Sequence, residues 1–299
     1  MLRPYTYAMD FSQFLFQLLN GFIWGWILAL ISLGLSLVYG ITGIINVAHG
    51  ALYMLGAVIG WYVIQATGNF WLALLVAPIA VGLLGIVLEF VALRPLHSKP
   101  AVTIIATFAL MLIIQQLVLM YFGGTPQSVD KPWQGSVEIG DRSYPTYRLL
   151  VAGLSAAMLL VVGVLLYRTK LGLWIRAVRQ NQELAFTLGI PVPVIYSAVF
   201  GMGSALAAFA GVLASPIVSV DHQMGLDILI TAFIIVIVGG LGNLKGALTA
   251  AIFFSLLEGC LTAVPGADPT LAHLVALLAM GVVLLWRPHG LFPSTVVSA

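Results

Sequence analysis

The most constraining feature of this chain is a gap: no Asp, Glu, Lys or Arg occurs anywhere from Phe11 to Leu88. A membrane-spanning helix needs about 20 apolar residues, so a charge-free run of this length holds several spans, and water cannot be its solvent. The whole chain of 299 residues agrees, with 61% hydrophobic, 7% charged and a mean hydropathy of +1.10. A soluble chain of this length carries roughly 75 charged residues, whereas this one has 12 basic and 10 acidic. The deficit excludes a soluble enzyme, a nucleic-acid binder and a disordered scaffold, and leaves an integral membrane protein.

The net charge of +2 is too small to argue for an anionic partner, and the single cysteine, Cys260, has no partner for an internal disulfide. Arg3 is the lone basic residue among the first ten, and the apolar stretch that follows is longer than a signal-peptide core. The first hydrophobic segment is therefore expected to be retained.

Backbone groups exposed to lipid must be satisfied within their own segment, which favours helices, and the runs lack the alternation of a lipid-facing barrel strand. The expected fold class is all-α, a polytopic helical membrane protein with eight or nine transmembrane segments, some broken or re-entrant. Gly, Pro, Asn and charge divide the chain into segments near 12–40, 46–66, 70–93, 101–122, 148–168, 194–216, 227–242, 246–264 and 270–286. The glycine-rich stretches Asn46–Gly50 and Gly239–Gly246 are the candidate re-entrant turns. Orientation follows from basic residues, which favour short cytoplasmic loops. Arg94 and Lys99 mark one such loop, and Arg168, Lys170, Arg176 and Arg179 mark the 168–193 loop. The Gly123–Tyr147 segment, with Asp130, Glu138 and Asp141 against Lys131 and Arg142, is expected outside, either as a small hairpin turning at Gly140–Asp141 or as a plain solvated connector. Nine spans then put the N-terminus outside and the C-terminus inside.

Asn46–Leu52 resembles Asn243–Leu248 with one residue dropped. A parallel internal repeat and coincidence in a Gly/Ala/Leu-rich chain both account for it. Whole chemistries are missing: there is no H-E-x-x-H, no Cys-x-x-Cys and no G-x-S-x-G. The run Gly239–Gly246 has Leu244 where a phosphate loop needs Gly, and Gly246 where it needs Ser or Thr, so ATP is not bound there. No catalytic residue, metal site or cofactor is expected.

Polar groups inside the spans are the candidates for a translocation path, because an ionisable group at mid-membrane costs about 2.5–3.5 kcal/mol on insertion scales. Glu258 either faces a path or makes a buried hydrogen bond between helices. His49, after Asn46, either holds a helix break by hydrogen bonding or touches substrate. Gln115 and Gln116, with Thr103 and Thr107, either line a pore or bond between helices. Glu89 and Arg94 read as an ion pair. Gly203, Ala207 and Gly211 strip one helix face for close packing. In the 168–193 loop, a short amphipathic helix ending at Gly189 before Pro191 is expected; it either lies on anionic lipid or docks on a cytosolic partner through Gln180–Glu183.

Several stretches carry a family resemblance. They are Tyr39, Gly40, Gly43, Asn46, Ala48, His49 and Gly50 with Met54, Gly56 and Ala57; Arg94–Leu96; Leu171, Gly172, Arg176, Ala177, Asn181, Ala185 and Leu188–Ile190; Gly239–Gly242, Gly246 and Ala247 with Glu258; and Arg287, Pro288 and Gly290–Phe292. In this order, over nearly the whole length, the chain resembles the membrane permeases of branched-chain amino acid ABC importers. The resemblance implies a single transmembrane permease domain over residues 1–299, in a bacterial-type inner membrane, with a periplasmic loop at 123–147 and a cytoplasmic coupling loop at 168–193. It implies a homologous second permease in a heterodimer, two cytosolic ATPase subunits and a periplasmic substrate-binding protein, with ATP hydrolysis on the partners. It also implies that the 168–193 loop, with Arg176, Arg179 and Asn181, couples to the ATPase. Glu183, Ala185 and Gly189 fit the loose E-A-A-x-x-x-G coupling pattern, with a departure at Leu184. The path candidates are Asn46, His49, Gln115 and Glu258. A related ABC permease for urea, amides or sugars is the nearest rival. An ion-coupled secondary transporter is the more distant one, since it needs midplane charges and this chain has at most Glu258.

Overall fold

The computed structural model of the protein describes residues 11–96, 99–139, 142–288 and 290–292. The first ten residues, with Arg3, and the Gly140–Asp141 turn lie outside these. The described residues are arranged as helices α1 (Phe11–Thr42), α2 (His49–Thr67), α3 (Phe70–Leu88) and α4 (Pro100–Phe122), then an antiparallel hairpin of β1 (Ser136–Ile139) and β2 (Arg142–Pro145), then α5 (Thr146–Arg168), α6 (Lys170–Gln180), α7 (Gln182–Thr187), α8 (Val192–Ala214), α9 (Met224–Gly239), α10 (Leu244–Thr262) and α11 (Pro269–Trp286). A π-helical turn and a 3-10 turn, Glu89–Leu93 and Arg94–Leu96, extend α3.

Among the described residues, eight helices are long and apolar enough to cross a bilayer. The ninth apolar helix, α9, has 16 residues and is about 24 Å long at 1.5 Å per residue, short of the ~30 Å hydrocarbon core. The nine expected segments thus correspond to eight full spans and one short helix, and the all-α polytopic class holds.

Packing is centred on α1 and α8. The most apolar 18-residue stretch of α1 is 83% buried, against 17% for α11, so α1 is surrounded by protein while α11 lies at the periphery with α3, α4 and α5. Small residues allow this packing, as membrane bundles need where burial of apolar surface drives little association. Gly203 on α8 sits against Gly34 and Val38 of α1, and Gly211 sits against the backbone of Tyr53 and Ala57 in α2. A Cβ on Gly56 would run into the Ala208 backbone. The Gly203–Ala207–Gly211 stripe is therefore a packing face.

The break between α1 and α2 is deeper than a surface turn. Gly43, at φ 66°, ends α1, and its N–H donates to the Tyr39 carbonyl at 2.9 Å, the left-handed stop that glycine makes without a Cβ penalty. Residues 43–48 then travel back beside α1, so that Nε2 of His49 lies 3.0 Å from the Ile31 carbonyl. Ile31 is about 16 Å of helix before Thr42, so α2 begins inside the bundle. Glycine in the sequence signals where a helix stops; how far the chain runs before the next one starts is decided by packing.

The second glycine-rich turn behaves differently. Asn243 Oδ1 accepts from the Gly246 N–H at 3.1 Å and caps α10, while its Nδ2 donates to the Phe292 carbonyl at 2.9 Å. The Leu291 N–H reaches the Val238 carbonyl at 2.7 Å, and Gly290 packs on Gly240. Two separated motifs of the sequence, Gly239–Gly246 and the 287–292 tail, are thereby joined in one structure.

Candidate functional site

The bundle has two distinct ends, one carrying the β1–β2 hairpin and the other the α6–α7 loop, with the α1–α2 break between them. At the hairpin end, α1, α10, the start of α5 and residues 217–218 line an open cavity of about 360 Å³. Tyr144 of β2 is buried and donates to Asn20 Oδ1 at 2.8 Å. The Arg148 guanidinium donates to the same oxygen, and Asn20 Nδ2 donates to Gln17 Oε1 at 3.1 Å. Burial pushes the Tyr144 phenol above its ordinary range, with the Arg148 cation working against it. Glu258 lines the cavity from α10, with Oε1 held 2.9 Å from Nδ1 of His273 on α11. Ile23, Trp24, Ile217 and Val218 supply apolar walls.

At the break, Asn46 and His49 are buried. Both side-chain atoms of Asn46, Nδ1 of His49 and the hydroxyls of Ser32 and Ser36 have no hydrogen-bond partner among protein groups. Each such buried group costs about 1–3 kcal/mol, so hydrophobic packing alone does not account for the break. Thr107 of α4 fixes the chain here, accepting from the Val47 N–H at 3.2 Å and donating to the Ile104 carbonyl at 2.9 Å. Thr103 donates to the Leu96 carbonyl at 2.9 Å.

The four path candidates therefore fall in three places. Asn46 and His49 share the break, Glu258 faces the hairpin-end cavity, and Gln115 is half-buried on α4, which packs on α2. Gln116 is exposed.

At the opposite end, the one amphipathic helix expected in the 168–193 loop is two helices split at Asn181. Asn181 is extended, and its Oδ1 accepts from the Leu184 N–H at 2.9 Å, capping α7. On α6, Gly172, Ile175 and Val178 face inward. Arg176 donates to the Leu166 carbonyl at the end of α5 and stands over the Tyr167 ring at 5.6 Å, satisfying an orphan helix-end acceptor. Arg179 lines a small crevice beside Ser36 and Gly242. On α7 only Ala185 is buried; Glu183, Leu184, Phe186 and Leu188 stand exposed, and Gly189 turns the chain at φ 80°. Leu184 and Phe186 on this six-residue helix and Leu188 just after it form an exposed apolar surface suited to a protein groove.

Behind α7, the Glu89–Arg94 pair joins three elements. The Arg94 guanidinium reaches both carboxylate oxygens of the fully buried Glu89, at 3.0 and 3.3 Å, a bidentate fork. It also donates to Ser197 Oγ at 2.7 Å and to the Pro193 carbonyl at 3.2 Å on α8. Tyr196, one residue earlier, donates to Gln182 Oε1 of α7 at 2.7 Å. Sequence reasoning found the ion pair but missed Ser197 and Tyr196, and it read Gln182 as a docking residue where the structure has it accepting from Tyr196 of its own chain. It also missed the Gln17–Asn20–Tyr144–Arg148 group. The spacing of Gln17 and Asn20 within the charge-free run was its visible trace.

Comparison with known proteins gives a consistent result. The family model for the permease component of the branched-chain amino acid transport system matches residues 17–284. The high-affinity branched-chain amino acid transport system permease protein LivH of Salmonella typhimurium is 28% identical, covering 94% of this chain and 96% of its own length. BraD of Pseudomonas aeruginosa, of the same description, is also 28% identical with the same coverage. The permease protein LivM of Escherichia coli is 24% identical over 89% of this chain and 68% of its own length. No solved structure matches the chain.

Proposed function

The chain belongs to the branched-chain amino acid transport system permease family, and from that premise we propose that it is one permease subunit of an ATP-driven importer carrying branched-chain amino acids across the bacterial inner membrane. It forms part of the translocation path, and ATP is hydrolysed on two cytosolic partner subunits. Similarity to both LivH and LivM proteins supports pairing with a second, homologous permease. A periplasmic binding protein delivers the amino acid to the hairpin end.

One observation carries the ATP-driven part of this reading: α7, with Leu184, Phe186 and Leu188 exposed, on the loop that holds Arg168, Lys170, Arg176 and Arg179. Four basic residues favour a cytoplasmic position for this loop, where the apolar face of α7 enters a groove on the ATPase. Inward and outward opening then follow from ATPase closure and release, passed through α7 to α8 and α3. The test is co-purification of the tagged chain with its ATPase subunits. Glu183→Arg with Leu188→Asp is expected to lose the ATPase and to keep the second permease; undiminished ATPase recovery overturns the assignment.

A further inference from the structure

The hairpin-end cleft brings two opposite charges to one open cavity without pairing them to each other. The Arg148 guanidinium has five N–H donors and donates to Asn20; among the described residues, the ion pairs are Glu89–Arg94 and Glu258–His273. Glu258 gives Oε1 to His273, which steadies the carboxylate and leaves its second oxygen to accept from elsewhere. Ionisable groups within membrane spans are costly and are kept where they pair or line a pathway. Here Glu258, within α10, bonds to His273, Arg148, at the start of α5, bonds to Asn20, and both side chains line the same cavity.

The rest of the lining has a different character. Trp24 and Ile23 of α1 and Ile217 and Val218 after α8 form an apolar wall beside the charged groups. The volume, about 360 Å³, is at the small end of the ~300–1,000 Å³ usual for small-molecule sites. A matching ligand is small, carries a carboxylate and an ammonium close together, and has a short aliphatic side chain.

We propose that this cavity is a binding station for a free apolar L-amino acid, with Arg148 taking the carboxylate, Glu258 the ammonium, and the Trp24–Val218 wall the side chain. The inference rests on the transport reading and deepens it, because it gives this chain its own substrate-recognising residues at the outward end. Asn20 and Tyr144 act as positioning residues: they fix the Arg148 guanidinium and do not touch the amino acid.

The test reads occupancy directly. In the assembled transporter in proteoliposomes, with Cys260→Ser to remove the native thiol and Val218→Cys to supply a reporter on the wall, labelling by a membrane-impermeant maleimide is timed with and without ligand. L-leucine is expected to slow labelling at least threefold. Isoamylamine, which lacks the carboxylate, and 4-methylpentanoate, which lacks the ammonium, are expected to leave it unchanged. Arg148→Gln and Glu258→Gln are each expected to abolish protection by leucine. The proposal is overturned if leucine gives no protection, if all three compounds protect equally, or if both variants retain protection; the analogues on the otherwise unmutated chain decide the matter should either variant fail to assemble. ATP-driven leucine uptake is measured in the same vesicles. Uptake without protection overturns the site and leaves the transport reading standing, whereas protection without uptake overturns the transport reading.

Discussion

The two ends of this molecule solve opposite problems. At the hairpin end, polar side chains from α1, β2, α5 and α10 turn inward around a cavity, and the polar groups Gln17, Asn20, Tyr144 and Arg148 bond to one another. At the loop end, the buried Glu89 and the half-buried Arg94 and Ser197 bond to one another behind α7, and the apolar side chains at α7 are exposed. An open cleft with polar groups beside an apolar wall suits a small amphipathic solute, while an exposed apolar helix on a tightly bonded base suits a protein partner. On the proposed reading, one bundle divides recognition of a solute from recognition of an engine.

The largest effect is expected at the base of the loop end. Arg94→Ala removes the cation from beside the buried Glu89, leaves it the Ser197 hydroxyl as a donor, and should cost about 3 kcal/mol, at the low end for a broken buried pair because Arg94 is partly exposed. Thermal denaturation of the purified protein in detergent checks this. The double change Glu89→Leu with Arg94→Met should recover most of the loss, since an apolar pair leaves no uncompensated charge.

On the exposed side of the same end, the effect should fall on coupling and spare stability. Phe186→Asp with Leu188→Asp is expected to lower ATP-driven uptake at least tenfold while leaving thermal stability within about 0.5 kcal/mol, as for other surface changes. A matching loss of stability would mean that α7 packs on its own chain.

Smaller effects test how each end is held together. Asn181→Ala removes the α7 cap and should cost about 1 kcal/mol of local stability, read as faster amide exchange over Gln182–Thr187. Tyr144→Phe deletes one neutral hydrogen bond to Asn20, and should cost about 0.5–1.5 kcal/mol. If the hairpin end is organised as described, this change also raises the KM for leucine and leaves ATPase co-purification untouched.

Much of this was legible in the sequence for a simple reason: spans of about 20 apolar residues in an almost charge-free chain admit few structures other than helices. The Gly203–Ala207–Gly211 stripe and the Glu89–Arg94 pair were legible because both are set by local spacing. The depth of His49 was not, because it depends on the path of residues 43–48 along α1 rather than on any local preference. Asn46 and Asn243 show the same limit: they sit in similar stretches, yet one is buried without a protein partner while the other caps α10. The split of α6 from α7 had a visible signal in Asn181, a strong N-cap residue, but the apolar periodicity on either side read as continuous. The Asn20–Tyr144–Arg148 group joins residues more than 120 positions apart, beyond any spacing argument.

The central claim is that this chain moves amino acids only as part of an ATP-driven assembly. The most direct test is leucine uptake into proteoliposomes holding this chain with its second permease and ATPases, supplied with leucine-loaded binding protein, against vesicles holding this chain alone. The account predicts uptake that requires ATP and both ATPase subunits, and none from this chain alone under a proton or sodium gradient. Gradient-driven uptake by the isolated chain would contradict it.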